Sequence, residues 1–168
     1  MKVGSLWTGL SSAAVVLAAL ASSNVQAQTT VSANNGGWSD PLNWTSGVPA
    51  AGTHAAISSG HTLDVTPGAV VGLLDIGAGG QTGNLTIGPG ADLTSGPNAG
   101  MRLGVGAGST GHVTMTGGSV TADGASPSGL VNGDIIIADN GVGTWTMSDG
   151  TLTVDDEILI GCFNAAAD

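Results

Sequence analysis

Three stretches of the chain align without gaps: GNLTI at 83–87, GHVTM at 111–115 and GTWTM at 143–147. Each is followed by a turn and a second short alternating segment, ADLTS at 91–95, SVTAD at 119–123 and TLTVD at 151–155. Each is preceded by an apolar strand ending on a small residue, LLDIG at 73–77, RLGVG at 102–106 and IIIA at 135–138, and a fourth, ILIG, follows at 158–161. Alternation such as Leu85 and Ile87 about Thr86, or Trp145 and Met147 about Thr146, marks strands with one buried face. Threonine suits the other face, because a β-branched side chain fits the pleat and its hydroxyl stays in water.

A unit of three strands, each about four residues long, cannot bury its apolar face alone. Stacking equivalent strands at ~4.8 Å buries that face continuously and pairs the backbone between layers. The predicted fold is therefore all-β, a parallel β-solenoid with an N-terminal cap. An antiparallel sandwich of short strands is the alternative, and repetition of the residues themselves favours the solenoid. Taking Gly77, Gly106, Ala138 and Gly161 as equivalent gives intervals of 29, 32 and 23 residues. The shortest is read as the basic unit and the others as carrying insertions at one corner, near 96–100 and 124–129. The expected inward residues are Leu74, Ile76, Leu85, Ile87, Leu103, Val105, Val113, Met115, Val120, Ile135, Ile137, Trp145, Met147, Leu152, Val154, Ile158 and Ile160. Met115 and Met147 share one repeat position and read as core fillers. Steps such as Asn140-Gly141 and Asp149-Gly150 are expected to turn corners.

The first residues follow another logic. Lys2 precedes an apolar stretch, SSAAVVLAALASS at 11–23, and Val25-Gln-Ala27 presents small or β-branched residues where a signal peptidase reads them. A secretory signal peptide over 1–27, helical and cleaved between Ala27 and Gln28, is expected. Its apolar run is too short to span ~30 Å of hydrocarbon. Segment 28–70 is then expected to hold the cap and first rung, and 71–168 the Gly/Thr-rich repeats.

After residue 27 the only basic residue is Arg102, against 12 acidic ones. With so little positive charge to neutralise phosphates, nucleic acid is excluded as a partner. No stable membrane segment is expected in the mature chain. The acidic charge keeps a strand-rich surface soluble. The single cysteine, Cys162, has no second cysteine in the chain to pair with, so packing or a metal must hold the fold.

On these residues the repeat resembles the autotransporter/PEP-CTERM-associated repeat, L-x-I-G-x-x-G-x-G-x-L-T-V-x-G-G-x-L-T. Segments 74–94, 103–121 and 135–153 carry the likeness. Upstream, GWSDPLNWTSGVP at 37–49 is similar to the G-x-W…N-W…G-x-P opening of many such exported proteins. The resemblance spans nearly all of the chain from about 33 to 161. It implies a β-helical passenger displayed or secreted by a Gram-negative-type bacterium, and no shared reaction. Such proteins continue into more repeats and a sorting signal or membrane barrel. This chain stops at Asp168 inside a predicted corner, so a longer natural protein is expected.

Trp38 and Trp44 are the candidate site aromatics, either a sugar-stacking pair on an exposed face or large side chains closing the open end of the core. His54 and His61 flank one turn, His112 lies outward, and none has the spacing of a triad or a metal motif. No catalytic, cofactor-binding or metal residues are assigned. Asp123 and Asp155 are repeat-equivalent, and 155–157 adds local acidity, so weak Ca2+ binding is the alternative to incidental surface charge. The sequons at Asn43 and Asn84 are read as coincidence.

The expected function is that of an exported, non-enzymatic structural or interaction protein, with extracellular polysaccharide or other envelope proteins as partners. A carbohydrate-binding or polysaccharide-cleaving β-helix is the second expectation. The third is an ice- or surface-binding solenoid, on the outward row Thr86, Thr114 and Thr146.

Overall fold

The computed structural model of the chain describes residues 29–96, 100–124 and 133–161. The expected signal peptide with its Ala27–Gln28 cleavage, Cys162, the end of the chain and most of the two insertions lie outside the described residues.

Thirteen strands make up the described residues, with no α-helix among them. They are β1 (Thr29–Val31), β2 (Gly36–Gly37), β3 (His54–Ile57), β4 (Thr62–Asp64), β5 (Ala69–Val71), β6 (Leu74–Ala78) and β7 (Thr82–Ile87). Then follow β8 (Asp92–Ser95), β9 (Met101–Val105), β10 (Thr110–Ala122), β11 (Ile135–Ile137), β12 (Val142–Val154) and β13 (Ile158–Ile160). All the strand pairings are parallel. One sheet has the order β1-β3-β6-β9-β11-β13, so the chain returns to it in sequence order. The second sheet curls at β10. The first half of β10 pairs with β7, its second half with β8, and register shifts separate the two near Thr116. β12 lies along both halves.

Stacked inward columns make the core. One runs Ala55, Leu74, Met101, Ile135, and another Ile57, Ile76, Leu103. On the second sheet Leu63, Leu85 and Val113 stack, as do Ala69, Leu93 and Val120. These side chains are all buried. Each large one removed from water stabilises the fold by about 1.5–3 kcal/mol.

Four of the expected inward residues are not covered. Val105, the last residue of β9, follows the positive-φ Gly104, pairs with Ala78 and is only half-buried. Met147, Ile158 and Ile160 belong to the last passes, over which no described strand lies, and are exposed. On β12 Trp145, Leu152 and Val154 are partly buried against the core, as is Ile137 on β11.

The register also corrects the repeat. Ile76 pairs with Leu103 and Ala78 with Val105, so Gly77 is equivalent to Gly104, not Gly106. Gly77, Gly104, Ala138 and Gly161 all have positive φ, at 71°, 66°, 65° and 72°. The intervals between them become 27, 34 and 23 residues. Insertion falls at one corner: two residues separate β5 from β6, five separate β8 from β9, twelve β10 from β11 and three β12 from β13. Segment 29–70 already carries two passes through the first sheet, β1 and β3, where a cap and one rung were expected.

The glycine opening each GNLTI-type repeat answers to close packing. A Cβ on Gly83 would stand 2.1 Å from the Ile57 carbonyl oxygen, and one on Gly111 2.1 Å from that of Ile76. A side chain there would push the passes apart.

Candidate functional site

The most concentrated polar arrangement lies on the outer face of the first sheet. Asp75 in β6 and Arg102 in β9 are paired in register, both pointing away from the core. The Arg102 guanidinium donates from Nε to Asp75 Oδ1 and from Nη2 to Oδ2, each at 2.8 Å. Such a two-point fork is the strongest geometry for this pair. His54 Nε2 lies 2.8 Å from Asp75 Oδ2. An ionised carboxylate only accepts, so His54 presents an Nε2–H there. Arg102 Nη1 reaches Asp139 Oδ2 at 3.6 Å. Both carboxylates are buried, and Ile136 stacks beyond Arg102 in the same outer column.

Burial works to raise the Asp75 pKa. The hydrogen bonds from His54 and Arg102, with the charges of both, outweigh it and hold the carboxyl below its ordinary value. For Arg102 burial works in the opposite direction, and Asp75 and Asp139 leave its pKa raised. The cluster is thus a charged ladder whose members satisfy one another. Its one Lys or Arg side chain is held by two carboxylates, and His54 and Arg102 are partly exposed while both carboxylates are buried.

Sequence reasoning placed no function on these four residues. The signal was present, since the lone Lys or Arg beyond residue 28 follows Met101 as Asp75 follows Leu74. Aligning on Gly106 put Arg102 two places out of register with Asp75.

Trp38 and Trp44 are both buried in the core cluster, edge to face with centroids 4.9 Å apart. Their rings offer no open face to a sugar. Trp44 Nε1 donates to the Trp38 carbonyl at 2.8 Å, and Asn43 Nδ2 to that of Gly37 at 3.0 Å. Asp40 caps the short 3-10 turn Pro41–Asn43 by accepting from the Leu42 amide. The G-W…D-P-L-N-W segment therefore builds one compact turn that fills the core beside the first passes.

The other candidates are dispersed. His61 Nδ1 lies beside the carbonyl and hydroxyl of Ser32, and His112 beside the Thr144 hydroxyl. Asp123 and Asp155 follow the paired Ala122 and Val154 and so stand on adjacent passes. Among the described residues no three His, Cys, Asp or Glu side chains are grouped closely enough to hold a metal ion. Thr86, Thr114 and Thr146 are paired in register and form one outward column. Among the same residues no helix is long and apolar enough to cross a membrane.

No family model, curated protein or solved structure matches the chain.

Proposed function

We propose that the chain is an exported bacterial protein of the cell surface or extracellular space, a structural or interaction module without catalytic activity of its own. In this reading it is folded as a parallel β-solenoid and belongs with the autotransporter/PEP-CTERM-associated repeat proteins that it resembles. The leader-like segment supports export, and the in-register return of the chain to one parallel sheet supports the solenoid.

The observation that carries the non-enzymatic reading is the state of Arg102. Proton abstraction from an acidic sugar needs a base and a cation facing a groove. Here the one cation after the leader is bound by Asp75 and Asp139 on a stacked sheet face. What remains outward is regular and polar, in columns of Thr, Asn and Asp. Such a surface suits contact with extended polymers or neighbouring proteins.

The test is expression of the whole chain in a Gram-negative host, with the N-terminus of the product read by mass spectrometry. A product outside the cytoplasm that begins at Gln28 is expected. An intact chain retained in the cytoplasm overturns export. Release of unsaturated or reducing ends from acidic polysaccharides by the purified protein, with or without Ca2+, overturns the non-enzymatic reading.

A further inference from the structure

The members of the polar cluster come from four successive passes through the first sheet. His54 lies in β3, Asp75 in β6, Arg102 in β9 and Asp139 just after β11. In that order they alternate as donor, acceptor, donor, acceptor. His54 Nε2 donates to Asp75 at 2.8 Å, Arg102 forks onto the same carboxylate, and its Nη1 lies 3.6 Å from Asp139. The alternation belongs to this order alone. With β9 directly beside β3, Arg102 would face His54, two donors. With β6 beside β11, Asp75 would face Asp139, two carboxylates, and like charges facing across strands are destabilising.

The apolar side of the same strands carries no such information. Leu74, Ile76, Met101, Leu103 and Ile135 are aliphatic, and cores tolerate exchange among such residues when volume is kept. A slip of two residues between β6 and β9 leaves every inward face inward. It sets Leu74 against Leu103 and Gly77 against Gly106, and both of these glycines have positive φ, 71° and 87°. It also sets Asp75 against Gly104 and carries Arg102 about 7 Å along the strand. The buried Asp75 carboxylate then loses its guanidinium, which is strongly disfavoured. Arg102 is the lone Lys or Arg beyond residue 28, so no other side chain of its kind competes for the place. We propose that the ladder of His54, Asp75, Arg102 and Asp139 is a key for order and register: with the close approach at Gly104 it fixes which pass lies on which, a task the repeating apolar columns leave undone. Apolar side chains can replace a buried ion pair without loss of stability, and fixing one register is the best-attested use of such a pair.

The test reads register by disulfide trapping in the whole chain carrying Cys162→Ser. Ala78→Cys with Val105→Cys reports the observed register, in which these residues are paired. Ala78→Cys with Ala107→Cys reports the slip of two. Directly facing residues on neighbouring strands stand within disulfide reach. Each cysteine pair is placed in the parent and in Asp75→Leu with Arg102→Leu, refolded reduced and then oxidised. The double-leucine variant is expected to fold with a denaturant midpoint close to the parent's. Its ratio of the 78–107 to the 78–105 bridge should be at least about tenfold higher than the parent's, as loss of a buried pair allows. His54→Leu and Asp139→Leu, each alone, should raise the ratio by less. An unchanged ratio in the double-leucine variant overturns the proposal. Failure of that variant to fold also overturns it, because the pair would then be a source of stability and not a key. A ratio that neither His54→Leu nor Asp139→Leu moves overturns the four-membered ladder.

Discussion

Arg102 stands one layer from Asp75 and grips it at both carboxylate oxygens, joining two passes that lie 27 residues apart in the chain. Replacing Arg102 leaves the buried Asp75 carboxylate with only His54 beside it and takes the cation away from buried Asp139. Arg102→Leu should therefore cost about 3–5 kcal/mol in denaturant unfolding, while Asp75→Leu with Arg102→Leu should recover most of that loss. Equal stability of wild type and the single variant would show that the pair contributes nothing.

The same pair sets an acid limit. The folded pKa of Asp75 lies below its unfolded value, so between the two the unfolded chain binds more protons and stability rises with pH. The contribution is fully present above the unfolded value of about 3.9 and is lost as pH falls through the lower folded one. Denaturant midpoints measured from about pH 2 to 6 should show this rise, and its Asp75 component should be absent in Asp75→Asn.

Ala138 holds a left-handed conformation, φ 65°, at a position that is glycine in the equivalent turns at Gly77, Gly104 and Gly161. Ala138→Gly should raise stability by about 0.5–1 kcal/mol through relief of that strain. Gly104→Ala should do the reverse and more, because its Cβ would lie 2.3 Å from the Val142 carbonyl oxygen. Thermal unfolding of the two variants compares them directly.

Ser95 sits in an inward column between Val71 and Ala122, fully buried, and its hydroxyl has no partner. Ser95→Ala removes a desolvated polar group at little change in volume. It should stabilise by about 1 kcal/mol, read as a higher denaturant midpoint with an unchanged slope.

Trp38 is the largest fully buried side chain beside the first passes. Trp38→Ala should cost about 3–5 kcal/mol. Amide exchange in β1 and β4 should quicken before that in β10, because the lost volume lies next to the first passes.

Much of the fold was legible in particular residues. Leu85, Ile87, Val113 and Met115 alternate with polar neighbours and are buried as that alternation requires. The glycines opening the GNLTI-type repeats mark the close approach of passes. Legibility failed at the last passes, where Met147, Ile158 and Ile160 carry the inward pattern with no layer over them among the described residues. Burial depends on a neighbour, and a residue's own pattern does not say whether that neighbour is present.

The candidate site was lost for a related reason. Alternation has a period of two, so it says which residues face inward but is unchanged when one pass slides two residues along the next. Matching Gly77 to Gly106 or to Gly104 preserves every inward and outward assignment along these strands. The sequence by itself determined strand positions, faces and the corner where insertions are tolerated. Only the tertiary structure decided which residue lies over which, because interlayer hydrogen bonds and the close approach at Gly104 select one register. That register brings Arg102 over Asp75, with His54 and Asp139 beside them.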